Sequence, residues 1–256
     1  MSLIEKAVGR DRLLIFTGLA IVVVACAWWI VAMRRDMYGA MSGSSAWMMT
    51  DRWDAAHLAL LAAMWTAMMT GMMLPSAAPT LLLYANVVRK SDDGPHTAAR
   101  AYAFGAGYLV VWSAFSLAAT FVQRGLSAVS LLSPMMELHA AAASAVVLVV
   151  AGVYQLTPFK RDCLSACRSP ASFITSHWRT GTRGAFRMGV DHGVFCLGCC
   201  WALMLLLFAG GVMNLLVIAL ITLFVLAEKL APYGAQGGRL SGVLLIAAAI
   251  WIWWRG

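Results

Sequence analysis

Seven stretches of this chain stay apolar for about the length of a bilayer crossing, and few folds accommodate that. They cover about 13–33, 57–88, 98–122, 138–156, 192–210, 212–231 and 240–254. A spanning helix needs about 20 mainly apolar residues. In hydrocarbon a backbone must satisfy itself, and runs this long do so as helices. Only 12% of the residues are charged, against roughly a quarter in soluble domains, so a soluble fold is set aside. The expectation is an all-α fold: a polytopic transmembrane helix bundle forming one integral membrane domain over residues 1–256. Gly210 and Gly211 alone part the fifth and sixth runs. Seven spanning helices are therefore expected, or six if those two runs are one interrupted unit. The first run ends in Met33-Arg34-Arg35, a stop and not a small-residue cleavage site, so it reads as a retained helix.

Lys and Arg set the orientation. With the N-terminus inside, fourteen of the 19 fall on inner segments, and only Arg34, Arg35, Arg52, Arg124 and Arg255 fall outside. The positive-inside rule then gives N-in, C-out. This places the chain in a bacterial inner membrane with a cytoplasmic N-terminus and the lipid bilayer as its first partner. The net charge of +8 reports that topology. The basic residues are scattered over loop ends, which excludes a nucleic-acid surface.

The second run carries an unusual load of sulfur. Met64, Met68 and Met72 recur at i, i+4, i+8, one row on a helix, and Met69 and Met73 form a second row beside it. Pro75 and Pro79 follow within the same run. Met fills irregular cores, but two rows of thioethers in ten residues also read as ligands or a pathway. The preceding outer segment, 34–56, adds Met37, Met41, Met48 and Met49 with Asp36, Asp51 and Asp54. Those methionines read either as interfacial anchors or as a collection site for a soft metal.

The cysteines point the same way. Five of the 6, Cys163, Cys167, Cys196, Cys199 and Cys200, lie on the inner side or in the membrane, where thiols stay reduced and bind metal. Cys163 and Cys167 sit in an expected inner loop over 159–190, flanked by Arg161 and Arg168, whose positive charges favour thiolates. The densest constellation opens the fifth run. His192, Cys196, Cys199 or Cys200, and Met204 share one helix face, and ionisable groups in a span are functional candidates. A second-choice N/O metal site combines Asp54 and His57 with Glu137 and His139 at the outer face. There Asp54 reads first as a helix cap, and Glu137 with His139 as an interfacial pair. Glu228 reads either as a proton or cation group, or as the partner of Lys229 beside it.

The segments MMLPSAAPTLLLYA, AGVYQLTPFKRDCLSACRSP, DHGVFCLGCCWALM and GVMNL, with the Glu228-Lys229 pair, resemble a bacterial family of predicted metal-binding integral membrane proteins, a domain of unknown function. The resemblance covers about residues 60 to 245. It implies a polytopic membrane fold and a bound metal.

Thioethers and thiolates select soft ions, above all Cu(I). Read along the membrane, the order is Met outside, Met rows within, then Cys and His towards the inside. That gradient suits an uptake channel or transporter for Cu(I), or a membrane copper chaperone serving a copper-dependent partner protein or a homo-oligomer. The Met64, Met68 and Met72 spacing is also similar to the M-x3-M element of copper-uptake channels, in ligand spacing and not in fold. Iron and zinc are the alternative metals. The alternative function is a membrane metalloenzyme built on the outer His and carboxylate set, or an assembly subunit of one. No nucleotide-binding G-x-x-x-x-G-K-[ST] loop is present, so nothing here drives transport by ATP.

Overall fold

The computed structural model describes residues 3–37, 39, 54–91, 96–133 and 136–255, with side chains from residue 13 onward. The described residues form helices α1 (Leu3–Met37), α2 (Ala55–Arg89), α3 (Thr97–Ala128), α4 (Ala141–Leu156), α5 (Pro158–Arg168), α6 (Pro170–Ser176), α7 (Gly181–Gly210), α8 (Leu215–Leu230) and α9 (Gly234–Arg255). No β-strand occurs among them, only a single bridge between Leu132 and Leu138. Each of the seven apolar runs overlaps one helix, the fourth and sixth only in part: α4 starts at Ala141, and α8 covers Leu215–Leu230.

Five helices, α1, α2, α3, α7 and α9, are long and apolar enough to cross a membrane. The bent pair α4–α5 makes a sixth if it is one broken span; its two parts meet at 66°. The bend falls at Thr157-Pro158. Thr157 is extended, and its hydroxyl accepts from the Lys160 backbone N–H, while Pro158 at the first turn is compatible only with a fresh helix start. α8 has 16 residues, about 24 Å of helix, which is less than the roughly 30 Å hydrocarbon core. It starts later than the sixth run because Gly211 adopts a positive φ of 90° and the Asn214 side chain caps the Leu216 and Val217 N–H groups. The expected inner loop over 159–190 is instead helical for most of its length: α5, α6 and the first ten residues of α7 occupy it. Met41, Met48 and Met49 of the first outer segment lie outside the described residues. Met37 is on the last turn of α1 and fully buried.

Close glycine contacts fix the register of the centre. A Cβ on Gly107 would strike the Phe186 carbonyl, and one on Gly189 would strike the Phe104 carbonyl. α3 and α7 therefore approach backbone to backbone, as small residues allow in lipid. The pairs 104 with 189 and 111 with 193 make these two helices parallel. α2 runs against both: Trp65 Nε1 donates to Gln123 Oε1 at 2.7 Å, and Tyr108 Oη donates to the Met73 carbonyl at 3.0 Å. The helices thus alternate in direction, as successive crossings do. Large apolar side chains such as Phe121, Val146, Leu220, Leu244 and Trp254 face outward. In water such a surface is an interaction site or a liability; lipid satisfies it.

Candidate metal centre

Met73 and Cys200 meet at half height in the bundle. Residue 73 is near the middle of α2 and residue 200 is near the middle of α7. The Cys200 Sγ lies 3.9 Å from the Met73 Sδ. Cys196, one turn earlier on α7, is within 3.0 Å of the Tyr108 hydroxyl. The thiols of Cys199 and Cys200 both donate to the Cys196 carbonyl, at 3.1 and 3.0 Å. From the other side, Cys167 on α5 is buried within electrostatic range of Cys196 and Cys199. All these sulfurs are buried. Four thiols and a thioether, contributed by α2, α5 and α7, therefore share one enclosed volume.

α5 reaches this volume because it turns off α4 and because an anchor holds it there. Lys160 pairs with Glu228 on α8 at 2.6 Å, both buried. Arg168 donates to the carbonyls of Glu228, Ala231 and Pro232. The Arg168 charge thus caps the end of α8 and does not sit on a thiol, contrary to the sequence expectation. Gly198 leaves room for Cys163: a Cβ there would be 2.7 Å from the Cys163 Sγ. Cys163 packs on α7 at that point, and Tyr154 donates to the Gly198 carbonyl beside it.

Of the two readings of Glu228, the one that pairs it with Lys229 is corrected here. Glu228 belongs to Lys160, and Lys229 turns into the sulfur centre. Its ammonium donates to the Cys196 Sγ at 2.9 Å and to the Ser76 Oγ at 3.0 Å. Cys199, Cys167 and Cys200 are also within its electrostatic reach. Tyr108, Ser76 and Lys229 are the site residues that sequence reasoning missed. The available signal was a lysine two residues before the end of an apolar run, too weak to name a partner.

The remaining expected ligands fall around this centre. Met64, Met68, Met69 and Met72 are all buried in the same core, with Met33, Met37, Met136, Met204 and Met213. Met68 and Met72 also floor a groove of about 430 Å³ between α1, α2 and α8. His192 is buried one turn before Cys196, among the rings of Phe104, Tyr108 and Phe173. Its Nδ1 has no hydrogen-bond partner among the described residues. At the other end, Asp54 Oδ1 accepts from the His57 backbone N–H at 2.8 Å, a helix cap. Glu137 and His139 are exposed beside the α7–α8 turn. The structure does not bring these four into the sulfur centre.

Among the described residues, no three His, Cys, Asp or Glu side chains are grouped so as to hold a metal ion. The thiols of Cys196, Cys199 and Cys200 are engaged by the Cys196 carbonyl, the Met73 thioether, the Tyr108 hydroxyl and the Lys229 ammonium. The donor chemistry nevertheless fits a soft monovalent ion: buried sulfur from thiols and a thioether, with no carboxylate among it. Closing several thiolates on one ion requires Cys199 and Cys200 to rotate off the Cys196 carbonyl.

A bundle of apolar helices with a buried cluster of sulfur side chains at half height defines a class: an all-helical protein of the integral-membrane type with a sulfur-rich interior. Residues 62–252 match the model of the PpoB2 family, described as copper chaperone, and the chain belongs to that family. Copper handling is thus the family's business and copper its metal. No curated protein matches the chain, and no solved structure does.

Proposed function

We propose that this chain is a membrane-embedded Cu(I) carrier. It takes the ion on thioethers and holds it on Cys196, Cys199 and Cys200 with Met73, and Cys167 closes the site from α5. Support comes first from the 3.9 Å approach of Cys200 to Met73 across α2 and α7. Two oppositely directed helices meet there through sulfur, at a depth where any other polar contact would be oxygen or nitrogen. Buried methionines continue from Met73 along α2 through Met69, Met68 and Met64, giving a weaker-binding run towards the end where α2 begins. Thioethers bind copper without losing a proton, whereas thiols must become thiolates. The ion therefore gains affinity as it moves from the methionines to the cysteines. With the N-terminus cytoplasmic in a bacterial inner membrane, that direction is inward. The site is retained for a copper-dependent partner protein or released to the inside.

Metal analysis tests this reading. The detergent-purified chain, loaded with copper under reducing conditions, retains it in stoichiometric amount. C196S/C200S loses it, and M68L/M72L slows loading without abolishing it. Wild-type protein that retains no copper, or a cysteine variant that retains as much as wild type, overturns the proposal.

A further inference from the structure

A second group of sulfurs gathers at the end of the bundle where α2 begins, the outer face in the proposed orientation. Met33 and Met37 are on the last two turns of α1 and Met64 is on α2. Met136 lies between α3 and α4, and Met213 lies in the turn between α7 and α8. All five are buried in one core. Contacts between the elements put them in one layer. α1 runs against α2, since Cys26 is level with Gly71 and Ile15 shares a core with Tyr84. Seven residues onward along α1 stands Met33, and seven back along α2 stands Met64. Trp65, beside Met64, packs on Phe208 of α7 with ring centroids 5.3 Å apart. The Phe208 carbonyl accepts from the Leu138 N–H at 3.0 Å, and the Met136 carbonyl accepts from the Val212 N–H at 3.3 Å. Met136 and Met213 are thereby held at that same end. Met64 is nine residues from Met73 on α2, about 14 Å of helix, so this layer is separate from the sulfur centre.

Met136 carries the clearest mark of use. Its φ is 59°, in the left-handed region that glycine enters freely and other residues only at a cost. A gap-filling side chain gains nothing from such a backbone. Strain of this kind persists where its surroundings fix it and the side chain has a task. Two backbone hydrogen bonds fix it here, from Met136 N–H to the Ser133 carbonyl and from Val212 N–H to the Met136 carbonyl. The donors of the layer are also all of one kind. None of the six cysteines lies in it: Cys26 is level with Gly71, and the other five are on α5 and on α7 no further than Cys200. Thioethers hold a soft ion without losing a proton and form no disulfide, which suits an end that faces oxidising surroundings. We propose that Met33, Met37, Met64, Met136 and Met213 form a receiving site for Cu(I), from which Met64 passes the ion to the run along α2. This inference rests on the copper reading given above and adds a second place of binding to it.

The test titrates full chains in detergent with Cu(I) under reducing conditions, against a weak chromophoric chelator. Wild type takes up a second, weaker equivalent beyond the one that the sulfur centre retains. C196S/C200S keeps the weaker equivalent alone. M33L/M136L/M213L loses the weaker equivalent and keeps the tight one. Leucine nearly conserves the volume of methionine, so this variant melts close to wild type and the loss reports sulfur and not packing. Should the triple variant fail to fold, M136L and M213L singly each weaken the second equivalent and leave the first intact. A second equivalent that is unchanged in the triple variant, or in both single variants, overturns the receiving site. So does wild type that binds the tight equivalent only, a result that leaves the copper reading standing. Wild type that binds no Cu(I) at all brings down both together.

Discussion

At Met73 a change of one atom type separates packing from chemistry. Leucine has nearly the volume of methionine, and such exchanges cost less than about 1.5 kcal/mol in a packed core. M73L is therefore expected to melt close to wild type in detergent while its Cu(I) affinity, read by chelator competition, falls. Equal affinity in M73L would leave the Met73–Cys200 contact as packing alone. Gly198 makes the complementary case, where volume matters and ligation does not. A methyl there would sit 2.7 Å from the Cys163 Sγ, and overpacking of this kind costs about 1–3 kcal/mol. G198A should lower the thermal midpoint, and G198A/C163A should recover most of the loss, because the two sites share one small space. The sequence made the sulfurs visible one by one. It did not show that Cys199 and Cys200 share the Cys196 carbonyl, since a hydrogen bond to a neighbouring turn depends on the rotamer and not on residue type.

At the scale of elements, the centre depends on how closely α3 and α7 approach and on what holds α5. A Cβ at Gly189 on α7 meets the Phe104 carbonyl of α3, whereas one at Gly125, further along α3, meets nothing within 4 Å. G189A should therefore push the two helices apart, lengthen the Tyr108–Cys196 contact and lower both stability and copper affinity. G125A should keep affinity and raise helix stability by up to about 1 kcal/mol. Thermal unfolding and chelator competition on the two variants check this contrast. α5, which carries Cys167, is held to α8 by the Lys160–Glu228 pair and by Arg168 on the carbonyls at the end of α8. Removing one partner of a buried pair costs about 3–5 kcal/mol, so E228Q should loosen α5. The readout is a faster reaction of Cys167 with a thiol reagent, and an unchanged rate would assign α5 another anchor. Thr157-Pro158 was legible as a helix end. The helical fold of 159–190 was not, because its polar composition resembles a loop and its helices are stabilised by the faces they bury.

For the whole molecule, the alternating helix directions turn the charge asymmetry into an experiment. A reporter fused after Arg255 should be active only outside, and one inserted near Trp178 only inside. The reverse pattern would invert the expected membrane orientation and with it the proposed direction of copper movement. Hydropathy is a property of consecutive residues, so the all-helical class and the positions of the apolar stretches could be read from the chain alone, but not the number of spans: seven are expected, and five helices, or six with the bent α4–α5 pair, are long and apolar enough to cross. Which helices lie side by side could not be read that way. Adjacency in a bundle is set by close backbone contacts such as Gly107 on Phe186 and Gly189 on Phe104, and by side chains reaching between helices that are far apart in the sequence. Met73 and Cys200 are 127 positions apart, and Ser76 and Lys229 are 153 apart. Residue type and spacing thus set what the donors are. Three-dimensional packing alone gave Lys160 to Glu228 and turned Lys229 towards sulfur, because a buried charge takes the partner within reach and reach is a matter of geometry.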